Sequence, residues 1–568
     1  MSQQLGAVLT DWLGITQTNF DNLWLLVVIA NASTLVPLLF LGWLPASDDS
    51  LAGRTDYTLH AALLTIEIGV TPFMPSLTTE TALSTNLSYD RQGWSRGYES
   101  QRYEYDYWID EIEGEIPPEL QGTWFRNGPG LLDINGQRIA HPFDGDGMVS
   151  AIGFHKGRAH YRNRFVRTEG FQAEQKAGKI LYRGVFGTQK PGGWLANAFD
   201  FKHKNIANTN IIYWGGKLLA LWEAAKPHRL DPHSLETLGL DNLDGILQEG
   251  DAFAAHPRVD PTGNNGKPCL VNFAIKPHGL SSTIIIFELD LAGKLLRRHA
   301  HSIGGFAFIH DFAITPNYCI FCQNAVSFNP LPFLLGMRGA GECIEFQPQQ
   351  PAKIIVIPRN GSEPVQIYEQ ESGFIFHHAN AFEEASSIYI DSICYEKLPQ
   401  VEPGADFRKV DFDALAPGQL WRFEINRNGQ TVQRQLLESR CCEFPFVHSR
   451  RVGRPYRYLF IGAADRARGN APLQAILKID WMSGERQLWS AAPQGFVSEP
   501  IFVPRPGAAS EDDGWVLALV YDSEHHRSDV AILDARDLNK GPVGRLHLKH
   551  HIPYGLHGSF TPDWFDPQ

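Results

Sequence analysis

Residues 210–222 read NIIYWGGKLLALW: a run from Asn210 to Trp214, the pair Gly215 and Gly216, and a second run from Lys217 to Trp222. Two glycines between two β-prone runs make a hairpin turn, since glycine takes a left-handed backbone without steric cost. Thr283 to Leu289, Leu291 to Lys294 and Leu295 to Arg298 repeat the arrangement. From Tyr103 onward, runs rich in Val, Ile, Phe, Tyr and Trp alternate with Gly, Pro, Asn and Asp clusters at strand-and-turn spacing. Helical pieces such as Asp411 to Leu415 are short. The pattern specifies an all-β sandwich, barrel or propeller.

Composition narrows the function. The 568 residues are 43% hydrophobic and 20% charged, which allows a sizeable core and excludes a disordered or fibrous chain. With 50 basic against 63 acidic residues and a net charge of −13, the chain has no positive footprint for nucleic acid. Its seven cysteines are odd in number and irregularly spaced, which indicates a reducing, cytoplasmic setting. Cys319 and Cys322 form one CxxC without a second pair, and in a strand they point to opposite faces, so ordinary buried thiols are expected. The sequence shows no Ser-His-Asp or nucleophile-elbow pattern.

Residues 1–85 read as an extension ahead of a folded domain spanning 86–568. Leu23 to Pro45 carries no charge, and as a helix at about 1.5 Å per residue it would reach about 35 Å, the length of a membrane anchor. Asn31 and Pro37 interrupt it, and the first basic residue is Arg54, so the positive flank of a secretory signal is missing. Met74 precedes a polar lead-in, so residues 1–73 are either a tether or the product of an upstream start.

Four histidines lie in apolar, aromatic settings: His256 in AAHPRVDP, His310 in FAFIHDFAIT, His377 in GFIFHHANAFEE and His557 in IPYGLHGSF. Alone, each reads as a core histidine. Their register changes that reading, because the steps are 54, 67 and 180 residues, the last being three steps of 60. Glu443 in RCCEFPFV and Glu499 in GFVSEPIFV fall in the long gap, 66 and 56 residues along, with His557 another 58 beyond. A period of about 60 residues with four short strands per unit is that of propeller blades, whose inner strands meet on one axis. Four neutral imidazoles meeting there point to a transition metal, since burying them without a shared partner is costly. Buried carboxylates would offset the metal's charge and set each ring's tautomer, roles that suit Glu443, Glu499 and Glu223 of LLALWEAA. His377 and His378 face opposite sides of a strand, and alternation leaves either as the ligand.

Taken with EIPPELQGTWFRNGPG (Glu115 to Gly130), HPFDGDGMV (His141 to Val149) and ANTN (Ala207 to Asn210), these blocks resemble the carotenoid cleavage oxygenase family over about residues 90 to 568. The resemblance implies a seven-bladed β-propeller with a helical and loop cap over an axial Fe2+ held by His256, His310, His377 and His557. The family's His-x-x-Asn-Ala spacing, met by His377, Asn380 and Ala381, selects His377. Glu223, Glu443 and Glu499 match the carboxylates behind three of the ligands, and Thr209 matches a threonine whose methyl shields one open coordination position. About 60 residues per unit would give nearly eight units, so the implied seven blades leave a surplus for the cap. The implied reaction is cleavage of the central 15,15' double bond of an apocarotenoid, an apocarotenal or apocarotenol, by O2 to give retinal and a shorter aldehyde. Rival readings are cleavage of another carotenoid or stilbene bond, retinoid isomerisation, and a non-catalytic carotenoid-binding propeller.

A rigid polyene makes few hydrogen bonds, so the bond cut depends on how far the chain slides into an apolar tunnel. Phe143, Trp222 and Phe444 adjoin the metal-site motifs and are the expected wall. Phe328 to Met337, FNPLPFLLGM, is expected either to dip into a membrane beside the tunnel mouth or to be a buried cap segment. Peripheral membrane association, with integral anchoring through 23–45 as a further option, completes the expectation.

Overall fold

The computed structural model describes residues 89–567 except 279, 280, 362 and 401, so the candidate anchor at 23–45 lies outside the described residues. Among the described residues no helix is long and apolar enough to cross a membrane. In the unit Ser88–Gln568, seven antiparallel sheets of four or six strands form the blades of a propeller. Numbered by their inner strands in chain order, blades 1 to 7 begin at Asn210–Trp214, Arg258–Asn264, Phe312–Ile314, Phe374–Glu384, Cys442–Val447, the pair Gly495–Val497 and Ile501–Pro504, and Gly558–Thr561. Inner strands of successive blades touch from blade 2 round to blade 1. The Asn210 amide closes the ring by donating to Ala255 O at 2.7 Å.

The Gly215–Gly216 hairpin is present. Lys217 pairs with Trp214, and Gly215 and Gly216 have φ of 60° and 74°, the left-handed pair that a two-residue turn requires. Both chain ends of the unit are built into the ring. Blade 7 combines the C-terminal strand Gly558–Thr561 with Gly122–Arg126, and blade 6 takes its outermost strand, Ile112–Gly114, from the N-terminal side. Separating the ends would therefore cost strand pairing in two adjacent blades.

Seven hydrophobic cores lie between the seven blades. Tyr318–Gln323 shows why its sequence is continuously apolar: Cys319 and Phe321 enter the core shared with blade 2, while Tyr318, Ile320 and Cys322 enter the core shared with blade 4. A strand covered on both faces needs apolar residues at every position. The two CxxC cysteines face opposite ways, and all seven cysteines are free.

The residues beyond seven blades form the cap. Helices Glu169–Ala177, Gly193–Asn197 and Pro330–Leu334 and the strand pair Val326–Phe328 with Ile344–Phe346 stand outside the blade sheets. Asp411 to Leu415 contains only the 3-10 turn Phe412–Ala414.

Candidate metal centre and cavity

Each blade brings one polar side chain to the same end of its inner strand: Thr209, His256, His310, His377, Glu443, Glu499 and His557 in order. Thr209, which the spacing argument omitted, completes the series in blade 1. Glu223 comes from elsewhere, just past the second strand Lys217–Leu221 of blade 1. The register of blade 4 shifts on both sides of His378, which separates the adjacent histidines. His378 turns away, its Nδ1 2.7 Å from Ser392 Oγ and its backbone N–H donating to Asp311 Oδ2 at 2.8 Å. His377 turns to the axis.

One ring nitrogen each from His256, His310, His377 and His557 lies within 4.8 Å of the others. Three rings are held from behind. His310 Nδ1 lies 2.7 Å from Glu223 Oε1, His377 Nδ1 2.6 Å from Glu443 Oε2 and His557 Nδ1 2.8 Å from Glu499 Oε1. An Nδ1–H donating to a carboxylate leaves the Nε2 lone pair for the centre. His256 alone has no carboxylate partner among the described residues. The carboxylates are themselves held: Tyr395 donates to Glu443 Oε1 at 2.8 Å, and Arg126 Nη1 to Glu499 Oε2 at 2.6 Å. The Thr209 hydroxyl lies 3.3 Å from Glu223 Oε2.

Electrostatics suit a cation. Burial, then the neighbouring imidazoles, pushes His256 well below the ordinary histidine value, and burial also lowers His557. Burial would lower His377 too, but contact with Glu443 outweighs it and raises that ring. Burial disfavours ionised Glu223, Glu443 and Glu499, yet their histidine partners override it and hold all three below the usual carboxylate value. Ionised Glu223, Glu443 and Glu499 behind the rings bring negative charge that would offset a cation held by the four imidazoles. His377 Nε2 is buried without a hydrogen-bond partner. That orphaned nitrogen, in a set of four nitrogen donors, fits a transition metal.

The sequence reading missed a brace beneath the ligands. Arg258 donates through Nε to Phe312 O at 3.0 Å and through Nη2 to His378 O at 2.9 Å and Asp311 Oδ2 at 2.5 Å. Asp311 also accepts from the Phe312 N–H at 2.7 Å. Blades 2, 3 and 4, each carrying one of the four histidines, are thereby joined. The available signal was local, since Arg258 and Asp311 lie two and one residues after His256 and His310.

Above the histidines lies a cavity of about 460 Å³, lined by His310, His377 and His557 and otherwise mostly apolar. Phe143, Trp222 and Phe444 all form its wall, with Phe306, Phe308 and Phe376. The last three were legible, for they alternate toward His310 and precede His377 in motifs already singled out. Tyr395 and Phe186, also in the wall, come from segments without such a signal. Phe444 has φ of 58°, a conformation that costs a non-glycine residue about 1–2 kcal/mol. Its N–H donates to Glu443 Oε2 at 2.8 Å, and its ring lies 5.6 Å from His377 and 5.4 Å from His557. The strain is held by the carboxylate that also orients His377.

Residues 328–337 divide between the two expectations. Phe333 is buried, with the Arg183 guanidinium 4.3 Å from its ring, whereas Leu331 and Met337 are 59% and 63% exposed. The neighbouring helix Gly193–Asn197 adds exposed Trp194 and Leu195, and Phe199 N–H donates to Leu334 O at 2.9 Å across the junction. Phe333 is therefore part of the cap's core, and only its flanks at Leu331 and Met337 are exposed.

The family model for retinal pigment epithelial membrane protein matches residues 98–562, and the BT1 family model matches residues 1–58. The chain is 59% identical to the apocarotenoid-15,15'-oxygenase of Synechocystis sp. over 484 residues, 85% of this chain and 98% of that one. It is 32% identical to lignostilbene-α,β-dioxygenase isozyme III of Sphingomonas paucimobilis over 495 residues, 83% of this chain and 97% of that one. The crystal structure of the cobalt-substituted Synechocystis apocarotenoid oxygenase superposes with a TM-score of 0.82 at 59% identity, covering 84% of this chain and 99% of that one.

Proposed function

This chain belongs to the carotenoid oxygenase family that includes retinal pigment epithelial membrane protein, and from that premise we propose that it cleaves the central 15,15' double bond of apocarotenoids with O2. The products are retinal and a shorter aldehyde. One C=C double bond of the polyene and the O=O double bond of O2 break and two C=O double bonds form, so both oxygen atoms end in the aldehydes and no external electron donor is consumed. The observation that carries the reading is four imidazoles converging at the floor of an apolar cavity large enough for a polyene.

His256, His310, His377 and His557 are the proposed ligands of Fe2+. Iron held by neutral nitrogens supplies the O2 activation that no amino-acid side chain provides. The protein's part is positional. Glu223, Glu443 and Glu499 fix the tautomers of three ligands, and Arg126 and Tyr395 fix two of those carboxylates. Thr209 lines the cavity and its hydroxyl contacts Glu223, which supports its methyl group as a shield on the side of the four ligands that would face substrate. Phe143, Trp222, Phe308, Phe376 and Phe444 hold the polyene in register and keep the cavity dry, so the bond over the ligands is the one cut. No acid or base need touch the substrate.

Such substrates partition into bilayers, and exposed Leu331, Met337, Trp194 and Leu195 support a patch through which the cap draws them from a membrane surface. The decisive experiment is incubation of iron-loaded protein with apocarotenals and a stilbene under 18O2, followed by product mass spectrometry. Retinal labelled at its new aldehyde is the expected result. Cleavage of the stilbene alone, or of the polyene at another bond, would replace this reading with the corresponding rival.

A further inference from the structure

The motif HPFDGDGMV contributes Phe143 to the wall of the metal cavity, but its first residue, His141, has no part in the site described above. Beside that cavity lies a second chamber of about 100 Å³, and the two share Phe143, Phe186, Phe308 and Phe376. On its other side the chamber shares Ala140, Gly404, Ala405 and Phe407 with an open vestibule of about 670 Å³, whose walls carry Arg102, Asp133, Arg138 and Asp406. Surroundings thus change from apolar at the histidines to charged at the outlet, with one aromatic collar in between.

His141 lines this chamber. Its Nδ1 accepts the Phe143 N–H at 3.1 Å, and its ring packs 4.6 Å from Phe143 and 5.2 Å from Phe186. Burial pushes its pKa down to about 4, so the ring is neutral, and with Nδ1 an acceptor the proton is on Nε2. That Nε2–H has no partner among the described residues. Gln400, also in the wall, spends its amide N–H groups on Gly341 O at 3.2 Å and Ile344 O at 3.1 Å, which leaves its carbonyl oxygen as an acceptor. The wall also carries the carboxylates of Glu342, which accepts from the Gly339 N–H at 2.7 Å, and Glu402, so among its described side chains His141 holds the one N–H left unspent, facing several acceptors. This matches an aldehyde, which only accepts, or a hydroxyl, which does both.

We propose that this chamber receives the polar end of the substrate and that His141 Nε2–H donates to its aldehyde or hydroxyl oxygen, fixing how far the polyene slides past the metal site. The assignment rests on the apocarotenoid reading above and deepens it, since one end-on hydrogen bond sets a register that apolar walls alone leave loose. The shorter, more polar product then lies nearest the charged vestibule.

The test uses equilibrium binding to the iron-loaded full chain, read by quenching of intrinsic fluorescence, with a long-chain apocarotenal and a polyene hydrocarbon of equal length ending in a methyl group. His141→Phe is expected to weaken aldehyde binding about tenfold, the scale of one hydrogen bond to a buried group, and to leave hydrocarbon binding unchanged. His141→Gln, which restores an N–H donor, is expected to recover most of the loss, with iron content equal in all variants. Ala140→Phe, which narrows the outlet, is an independent second variant, expected to weaken the longest apocarotenals and spare those whose polar end stops inside the chamber. Equal weakening of aldehyde and hydrocarbon by His141→Phe, or of neither, overturns the proposal, as does an Ala140→Phe effect independent of length. Turnover reports separately on the function: wild-type protein that discriminates the aldehyde through His141 yet cleaves no apocarotenal would sink the enzymatic reading and leave the binding assignment standing.

Discussion

The floor of the site and the cap above it are built on different terms. On the floor, polar side chains at the ends of seven inner strands meet at the axis, and three of the four histidines are oriented by a carboxylate, two of which are themselves held by Arg126 and Tyr395. Above it, aromatic rings from loops and blade strands enclose space, packing against one another and against the histidines. The contrast separates two tasks. Metal chemistry needs fixed geometry and charge, which blade ends supply, whereas selection of one bond in a polyene rests on the shape of the walls together with the proposed end-on contact at His141, which loops can vary.

The largest effect that could break this contrast comes from the ligands. Replacing His256, His310, His377 or His557 by Ala is expected to abolish both metal loading, read by elemental analysis, and turnover. A variant that kept its metal would show that the floor is not one unit. Glu443→Gln and Glu499→Gln are each expected to lower metal affinity or activity about 10–100-fold. Glu499→Gln should also lower the melting temperature further than Glu443→Gln, because it leaves the buried Arg126 charge without its carboxylate. Arg258→Met is expected to weaken metal retention about tenfold while leaving product identity unchanged, as for other groups that orient ligands. Phe308→Ala in the cap should do the reverse, with full metal content and a mixture of cleavage positions by chromatography. The smallest expected effect is at the rim. Leu331→Glu with Met337→Glu should reduce liposome binding severalfold in a flotation assay and leave turnover of detergent-dispersed substrate unaltered, while Phe333→Asp would instead destabilise the cap around Arg183.

Legibility followed the same division. The Gly215 and Gly216 turn, the doubly covered run through Cys319 and Cys322, and the step of about 60 residues between polar sites could be read directly, because blade repetition writes itself into spacing. Phe143, Trp222 and Phe444 were found because they adjoin the histidine and carboxylate motifs. Tyr395 and Phe186 reach the cavity from segments whose own sequence carries no mark of it. Segment 328–337 admits both a membrane-facing and a buried reading, since hydropathy does not tell which side of a five-residue helix faces inward.

By itself, then, the order of residues determined the strand periodicity, the repeat length and the four imidazoles, since alternation and turn chemistry act over a few neighbours. Which of His377 and His378 points to the axis, how Arg258 and Asp311 tie three blades together, and where the cavity continues past its aromatic collar were decided only in three dimensions. Those features depend on register shifts and on contacts between segments far apart in the chain, which no local pattern encodes.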